Sequence, residues 1–179
     1  MERKTYLTIR MYLVKMKGQK RLEPRVRHHH FDVFIAWLGA FLGIGVVALL
    51  SLSYHMPLLV ASFGASAVLL YGVPDSPLAQ PRNVFFGHTI SATVGVIAYA
   101  LLGLNWWSAS IATATAIALM LLTHTAHPPG GATALVAVLS KAAPMYILTP
   151  VALGAAILII IALITNNLSP RRSYPMHWF

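Results

Sequence analysis

Cysteine is absent, and only four of the 179 residues are acidic. The first absence excludes disulfides, thiolate catalysis and iron–sulfur ligation. The second leaves little for general acid–base chemistry or for a carboxylate metal shell. Charge of either sign is scarce, at 9% of the chain against 58% hydrophobic residues, whereas a soluble domain carries about a quarter charged residues. No Lys, Arg, Asp or Glu occurs in 33–74, 83–140 or 142–170, runs of 42, 58 and 29 residues. A membrane-crossing helix takes roughly 20 residues, so these runs hold about two, three and one segments. No soluble fold of this length hides so much apolar chain. The sequence therefore reads as a multi-spanning integral membrane protein.

The basic residues that remain are crowded together. Nine of the thirteen Lys and Arg lie in the first 27 residues, and the others are Arg82, Lys141, Arg171 and Arg172. Basic flanks mark the cytoplasmic side, so both termini are expected there, with a bacterial-type plasma membrane as the expected location. The N-terminal patch suits anionic headgroups beside a membrane span better than nucleic acid. Residues 1–17 mix apolar and basic side chains, as a helix lying on the bilayer surface does. They lack the apolar core of a secretory signal. His28, His29 and His30 read as a polar collar.

Apolar runs and their Pro, Gly and polar breaks divide the chain into six segments, about 33–54, 57–72, 84–104, 106–123, 129–139 and 147–168. The second and fifth are short, and each follows proline. They carry Gly64-Ala65-Ser66-Ala67 and Gly131-Ala132-Thr133-Ala134, 67 residues apart. The same offset aligns Ile44 with Ile111, Pro77 with Pro144, Val84-x-x-Gly87 with Val151-x-x-Gly154, and Ile90 with Ile157. Segments one to three thus correspond to segments four to six. Three crossings per half invert the second half relative to the first; short segments that return to their own side would leave the halves parallel. The inverted form is preferred. The expected fold is an all-α polytopic transmembrane bundle with two short or broken helices and an internal three-segment repeat. Residues 1–32 form a basic interfacial segment, 33–168 the transmembrane domain with halves near 33–104 and 105–168, and 169–179 a cytoplasmic tail.

A half-length helix inside a membrane must turn its start toward protein or a wet cavity. Free amides and the dipole make such a start a natural anion site, and glycine lets a ligand approach the backbone. This assigns Ser62, Gly64, Ala65 and Ser66 in one half, and Gly130, Gly131 and Thr133 in the other, to a small anion. The bland alternative is close helix packing by small residues. In His124-Thr125-Ala126-His127-Pro128-Pro129-Gly130-Gly131 the second proline suits a first helical turn, and His124 and His127 are read as hydrogen-bond donors to the anion. Their spacing is a poor metal signal, because no carboxylate or cysteine stands nearby. His88, inside the third segment, is a functional candidate as an intramembrane histidine. The loop 74–83 is proline-dense and stiff; Gln80 and Arg82 are placed at an entrance and Asn83 beside the site. Trp106 and Trp107 fit an interfacial aromatic belt.

The run His124–Gly131 resembles the HPP family of integral membrane proteins, named for the tripeptide that stands here as His127-Pro128-Pro129. The resemblance extends to Ser62-Phe63-Gly64-Ala65-Ser66-Ala67 and to Ser76-Pro77-Leu78-Ala79-Gln80-Pro81-Arg82-Asn83 followed by His88, and covers roughly 31–168. Plastid and cyanobacterial members of that family are nitrite transporters, which implies a nitrite transporter or channel here. Some members carry paired CBS modules; none is found before Phe179, so nucleotide regulation through such a module is not expected of this chain. No cofactor, catalytic residue or metal is assigned, and a homo-oligomer is the one protein partner considered. The rival readings are a structural or signalling membrane subunit and an intramembrane histidine-dependent enzyme.

Overall fold

The computed structural model describes residues 29–53 and 60–178, and among these every regular element is helical. The interfacial segment expected over 1–17, His28, and Pro57 ahead of the second segment lie outside the described residues. Helix α1 spans His30–Ser53. Helix α2, Ser62–Ala67, runs directly into a wider π turn over Val68–Gly72. A single 3-10 turn at Pro77–Ala79 leads to α3, Pro81–Leu102. Helices α4, Trp106–Leu122, and α5, Pro128–Leu139, follow. A π-wound stretch at Ile147–Ala152 opens into α6, Leu153–Asn166.

Three of these stretches are long and apolar enough to cross a membrane: His30–Ser53, Pro81–Leu102 and Ile147–Asn166. Ser62–Gly72 and Pro128–Leu139 are shorter; at a rise of 1.5 Å per residue they reach only about 17 Å, roughly half of a hydrocarbon core. Local sequence sets the boundaries. Pro81 occupies the first turn of α3, where a missing N–H costs nothing. Gly103 ends that helix at φ +71°, its amide donating to the Tyr99 carbonyl, a conformation that side-chain-bearing residues avoid. Asn105 and Ser108 then cap α4 reciprocally.

Specific contacts fix the direction of each helix. Asp32, in the first turn of α1, pairs with Arg171 at 2.8 Å, just beyond α6. Arg172 donates to the Tyr71 carbonyl at the end of the α2 π turn, 2.7 Å, and Tyr174 to the Ala79 carbonyl in the loop before α3, 2.9 Å. Arg82, at the start of α3, donates to the Thr123 carbonyl at the end of α4, 3.1 Å. One end of the bundle therefore holds the starts of α1 and α3 and the finishes of α4 and α6. Repeat-related α1 and α4 run in opposite senses, as do α3 and α6. The repeat is inverted. Between the halves, α3 lies along α4 as its repeat counterpart α6 lies along α1.

Small residues set the close approaches. A side chain on Gly95 would strike the Ala134 carbonyl at 2.6 Å, which lets α3 and α5 run side by side. Gly39 and Gly43 of α1 receive the Tyr71 ring, and Gly154 of α6 receives the Phe63 ring. Outward, Trp37, Phe41, Leu101, Trp106 and Leu122 are exposed. That is the inside-out surface of a chain solvated by lipid.

Candidate functional site

Where the two half-length helices meet α3, five polar side chains come together away from solvent. Ser62 is 2% exposed, and Ser66, His88, His127 and Thr133 are 0% exposed. Ser66 and Thr133, the matched hydroxyls of the two repeats, bracket one imidazole. Ser66 Oγ lies 2.7 Å from His88 Nε2, and Thr133 Oγ1 lies 2.7 Å from His88 Nδ1. Ser66 Oγ also meets His127 Nε2 at 2.9 Å, and Ser62 Oγ meets Thr133 Oγ1 at 2.8 Å. The position in the second half that matches His88 is Ala155, also fully buried. Histidine thus breaks the pseudo-symmetry at a place where both halves converge.

The ends of this chain set its polarity. His127 Nδ1 lies 2.8 Å from the Leu78 carbonyl, and a carbonyl only accepts, so Nδ1 carries hydrogen. With neutral rings, His127 Nε2 accepts from Ser66, Ser66 accepts from His88 Nε2–H, His88 Nδ1 accepts from Thr133, and Thr133 accepts from Ser62. Every donor has one short acceptor and no acidic side chain takes part. The Phe63 ring stands edge-on to His88, centroids 5.3 Å apart, and the two imidazoles stand 4.9 Å apart. Among the described residues no group of three His or acidic side chains is placed to hold a metal ion.

The other residues singled out from the sequence have different surroundings. Gly64 and Ala65 face outward, and nothing lies within 4 Å of the place a Gly64 side chain would take. Gly130 is pressed against the Gly87 carbonyl and Ser91 Oγ, each 2.8 Å from an added Cβ. Gly131 is half-buried, with Thr113 Cγ2 at 3.9 Å from an added Cβ. The bare amides expected at the helix starts are largely missing. Pro128 and Pro129 have no N–H, the Gly130 amide donates to the His127 carbonyl at 2.8 Å, and the Phe63 and Gly64 amides donate to Val60 and Ala61. Hydroxyls and imidazoles, rather than backbone N–H groups, line the meeting point. His124 is exposed, at φ 54°, in the turn after α4. Asn83 holds the Ala126 carbonyl at 3.0 Å. Gln80 is fully buried, its amide donating to the Pro74 and Ser76 carbonyls and its oxygen accepting from the Met176 amide.

Two features were not anticipated. The Leu78 carbonyl orients His127, and no side-chain pattern could announce a backbone acceptor. The tail after α6 folds back over the end of the bundle through Arg171, Arg172 and Tyr174; the signal was Asp32, a lone acid at the head of a span, paired with the two arginines read only as a basic flank. A cavity of about 620 Å³ opens there, lined by Asp32, Asp75, Arg171 and Arg172. Pro74 and Asp75, which line it, belong to the same loop that presents Leu78 to His127.

The description "HPP, transmembrane region" matches residues 25–175. Two transmembrane proteins of Dictyostelium discoideum are similar along nearly the whole chain. One, DDB_G0269096, is 39% identical over 194 aligned positions, taking in 99% of this chain and 68% of its own length. The other, DDB_G0273707/DDB_G0273361, is 40% identical over 189 positions, taking in 97% of this chain and 60% of its own. No solved structure matches.

Proposed function

The chain belongs to the HPP transmembrane family, and from that premise we propose that it carries a small monovalent anion, nitrite first among those to test, across a membrane. The observation behind this reading is the Ser62–Thr133–His88–Ser66–His127 cluster, closed to solvent and built by both repeats in the middle of an apolar bundle. Polar groups are costly in a lipid-facing interior unless they serve a site or a tightly satisfied contact. Inverted repeats with discontinuous helices put such sites where the halves meet. The cavity at the Asp32–Arg172 end is the vestibule, and the Pro74–Gln80 loop, which both lines it and holds His127, is the gate. That end carries Arg82, Arg171 and Arg172, so in this reading it is the cytoplasmic one.

A second reading has its own support. Every hydrogen-bonding group of the cluster has a partner within it, and Gly130 packs tightly, as in a structural subunit whose polar network holds helices together. Uptake of nitrite, nitrate, chloride and formate into proteoliposomes decides between them, with Ser66→Leu and Thr133→Leu alongside. Transport predicts nitrite uptake above protein-free vesicles, lost in both variants. The structural reading predicts no uptake in the native protein and only lowered melting temperatures in the variants.

A further inference from the structure

We propose that the substrate passes the cluster as a neutral weak acid, one anion with one proton, along the relay of Ser62, Thr133, His88, Ser66 and His127. This rests on the transport reading and names its substrate class: conjugate bases of weak acids, not anions of strong acids.

Charge gives the first reason. No Lys or Arg occurs from Asn83 to Ser140, and the nearest basic side chain in the chain order, Arg82, is spent on the Thr123 carbonyl. On the elements that meet at the cluster, the titratable or charged side chains are Tyr71 in the turn that continues α2, Arg82, His88 and Tyr99 on α3, His127 and the exposed His124 ahead of α5, and Asp75 in the loop before α3. None places a permanent positive charge among the five buried groups. A bare anion entering there would lose its hydration without a counter-charge, the costliest form of burial. The amides that might have replaced that charge are consumed or absent at Pro128, Pro129 and Gly130. A neutral acid meets no such barrier, and its hydroxyl and its second oxygen match a ring acceptor and a hydroxyl donor.

The order of the hydrogen bonds gives the second reason. Each link is 2.7–2.9 Å long, and each group offers one donor toward the next acceptor. When a proton arrives at the Ser62 oxygen, its original hydrogen moves to Thr133. The Thr133 hydrogen moves to His88 Nδ1, the His88 Nε2 hydrogen to Ser66, and the Ser66 hydrogen to His127 Nε2. One proton has entered, and His127 holds one more, with its Nδ1–H still on Leu78. Transfer of that proton to a bound anion leaves a neutral ring and a neutral acid. No other bond changes. Outside the relay, Tyr146 packs against the large apolar core cluster, and its buried hydroxyl has no partner among the described residues.

The test uses the full chain in proteoliposomes loaded with a pH-sensitive dye, with membrane voltage clamped by potassium and valinomycin. Protein-free vesicles supply the baseline, because neutral weak acids cross lipid unaided. The expected result is nitrite and formate uptake with one proton per anion, unaffected by voltage, and nitrate and chloride at least tenfold slower. Nitrate carried as fast as nitrite, or uptake that follows voltage, overturns the proposal while leaving the transport reading standing. No uptake of any of the four overturns both. Ser66→Ala parts the two rings and should cut protein-dependent nitrite uptake at least tenfold; a folded Ser66→Ala protein with native rate and proton stoichiometry overturns the relay. Should that variant fail to fold, anion selectivity and voltage response of the native protein decide alone.

Discussion

Gly39 and Gly45 lie in the same helix and answer to different constraints. A Cβ on Gly39 would come 2.6 Å from Tyr71 Cδ1 and 2.8 Å from Thr165 Oγ1, whereas nothing lies within 4 Å of one on Gly45. Gly39→Ala is expected to cost roughly 1–3 kcal/mol through overpacking. Gly45→Ala should be neutral or stabilising by up to about 1 kcal/mol, because alanine restricts the unfolded chain. Thermal unfolding in detergent, read side by side, checks the pair; equal effects would mean that Tyr71 does not sit against α1 as described. At this scale the sequence exposed the chemistry well. Ser62, Ser66, His88, His127 and Thr133 stand out as polar residues in an apolar chain, and two of them recur at the repeat offset. It exposed the partners poorly. Gly130 and Gly131 stand side by side in one motif, yet an added Cβ on Gly130 would meet the Gly87 carbonyl at 2.8 Å while one on Gly131 meets nothing closer than 3.9 Å, since which side of a helix meets a neighbour is decided by distant chain.

Helix existence was legible for every described segment, because proline, glycine and polar breaks punctuate strong apolar runs. Boundaries shifted by a few residues where backbone geometry carries the signal. α3 begins at Pro81 rather than Val84, since proline and the residues after it accept helical φ before the apolar pattern starts. The π turns at Val68–Gly72 and Ile147–Ala152 leave no mark in hydropathy. The clearest cap is the reciprocal Asn105–Ser108 box, in which the Asn105 amide donates to Ser108 Oγ at 3.1 Å. Asn105→Ala should cost about 1 kcal/mol and fray the start of α4. Hydrogen exchange at 106–109 is the measurement, and unchanged protection there would mean that the cap is dispensable.

The inverted repeat follows from where the ends of the helices lie, and those ends are fastened by the tail. Hydropathy alone left inverted and parallel halves both open. The Arg172 bonds to the Asp32 and Tyr71 carbonyls close the question, because they put the end of the α2 turn, and with it the start of α3, beside the start of α1, whereas parallel halves would put α1 and α3 starts at opposite ends. The two arginines do unequal work. Arg171 is 45% exposed and its pair with Asp32 is screened by water. Arg172 is 10% exposed and donates to the Tyr71 carbonyl, the Asp32 carbonyl and Asn166 Oδ1 at 2.7, 2.7 and 3.1 Å. Removing it leaves three acceptors without their donor at the junction of α1, the α2 turn and α6. Arg172→Met should therefore lower stability by roughly 2–4 kcal/mol, and Arg171→Met should change it little. Arg172→Lys should recover only part of the loss, because an ammonium on a flexible stem does not reproduce the planar fork that reaches acceptors on three elements. Melting midpoints of the three variants in one detergent test this ordering. Equal losses for Arg171→Met and Arg172→Met would show that the tail holds the bundle by charge alone, and the fastening of the inverted halves would then have to lie elsewhere.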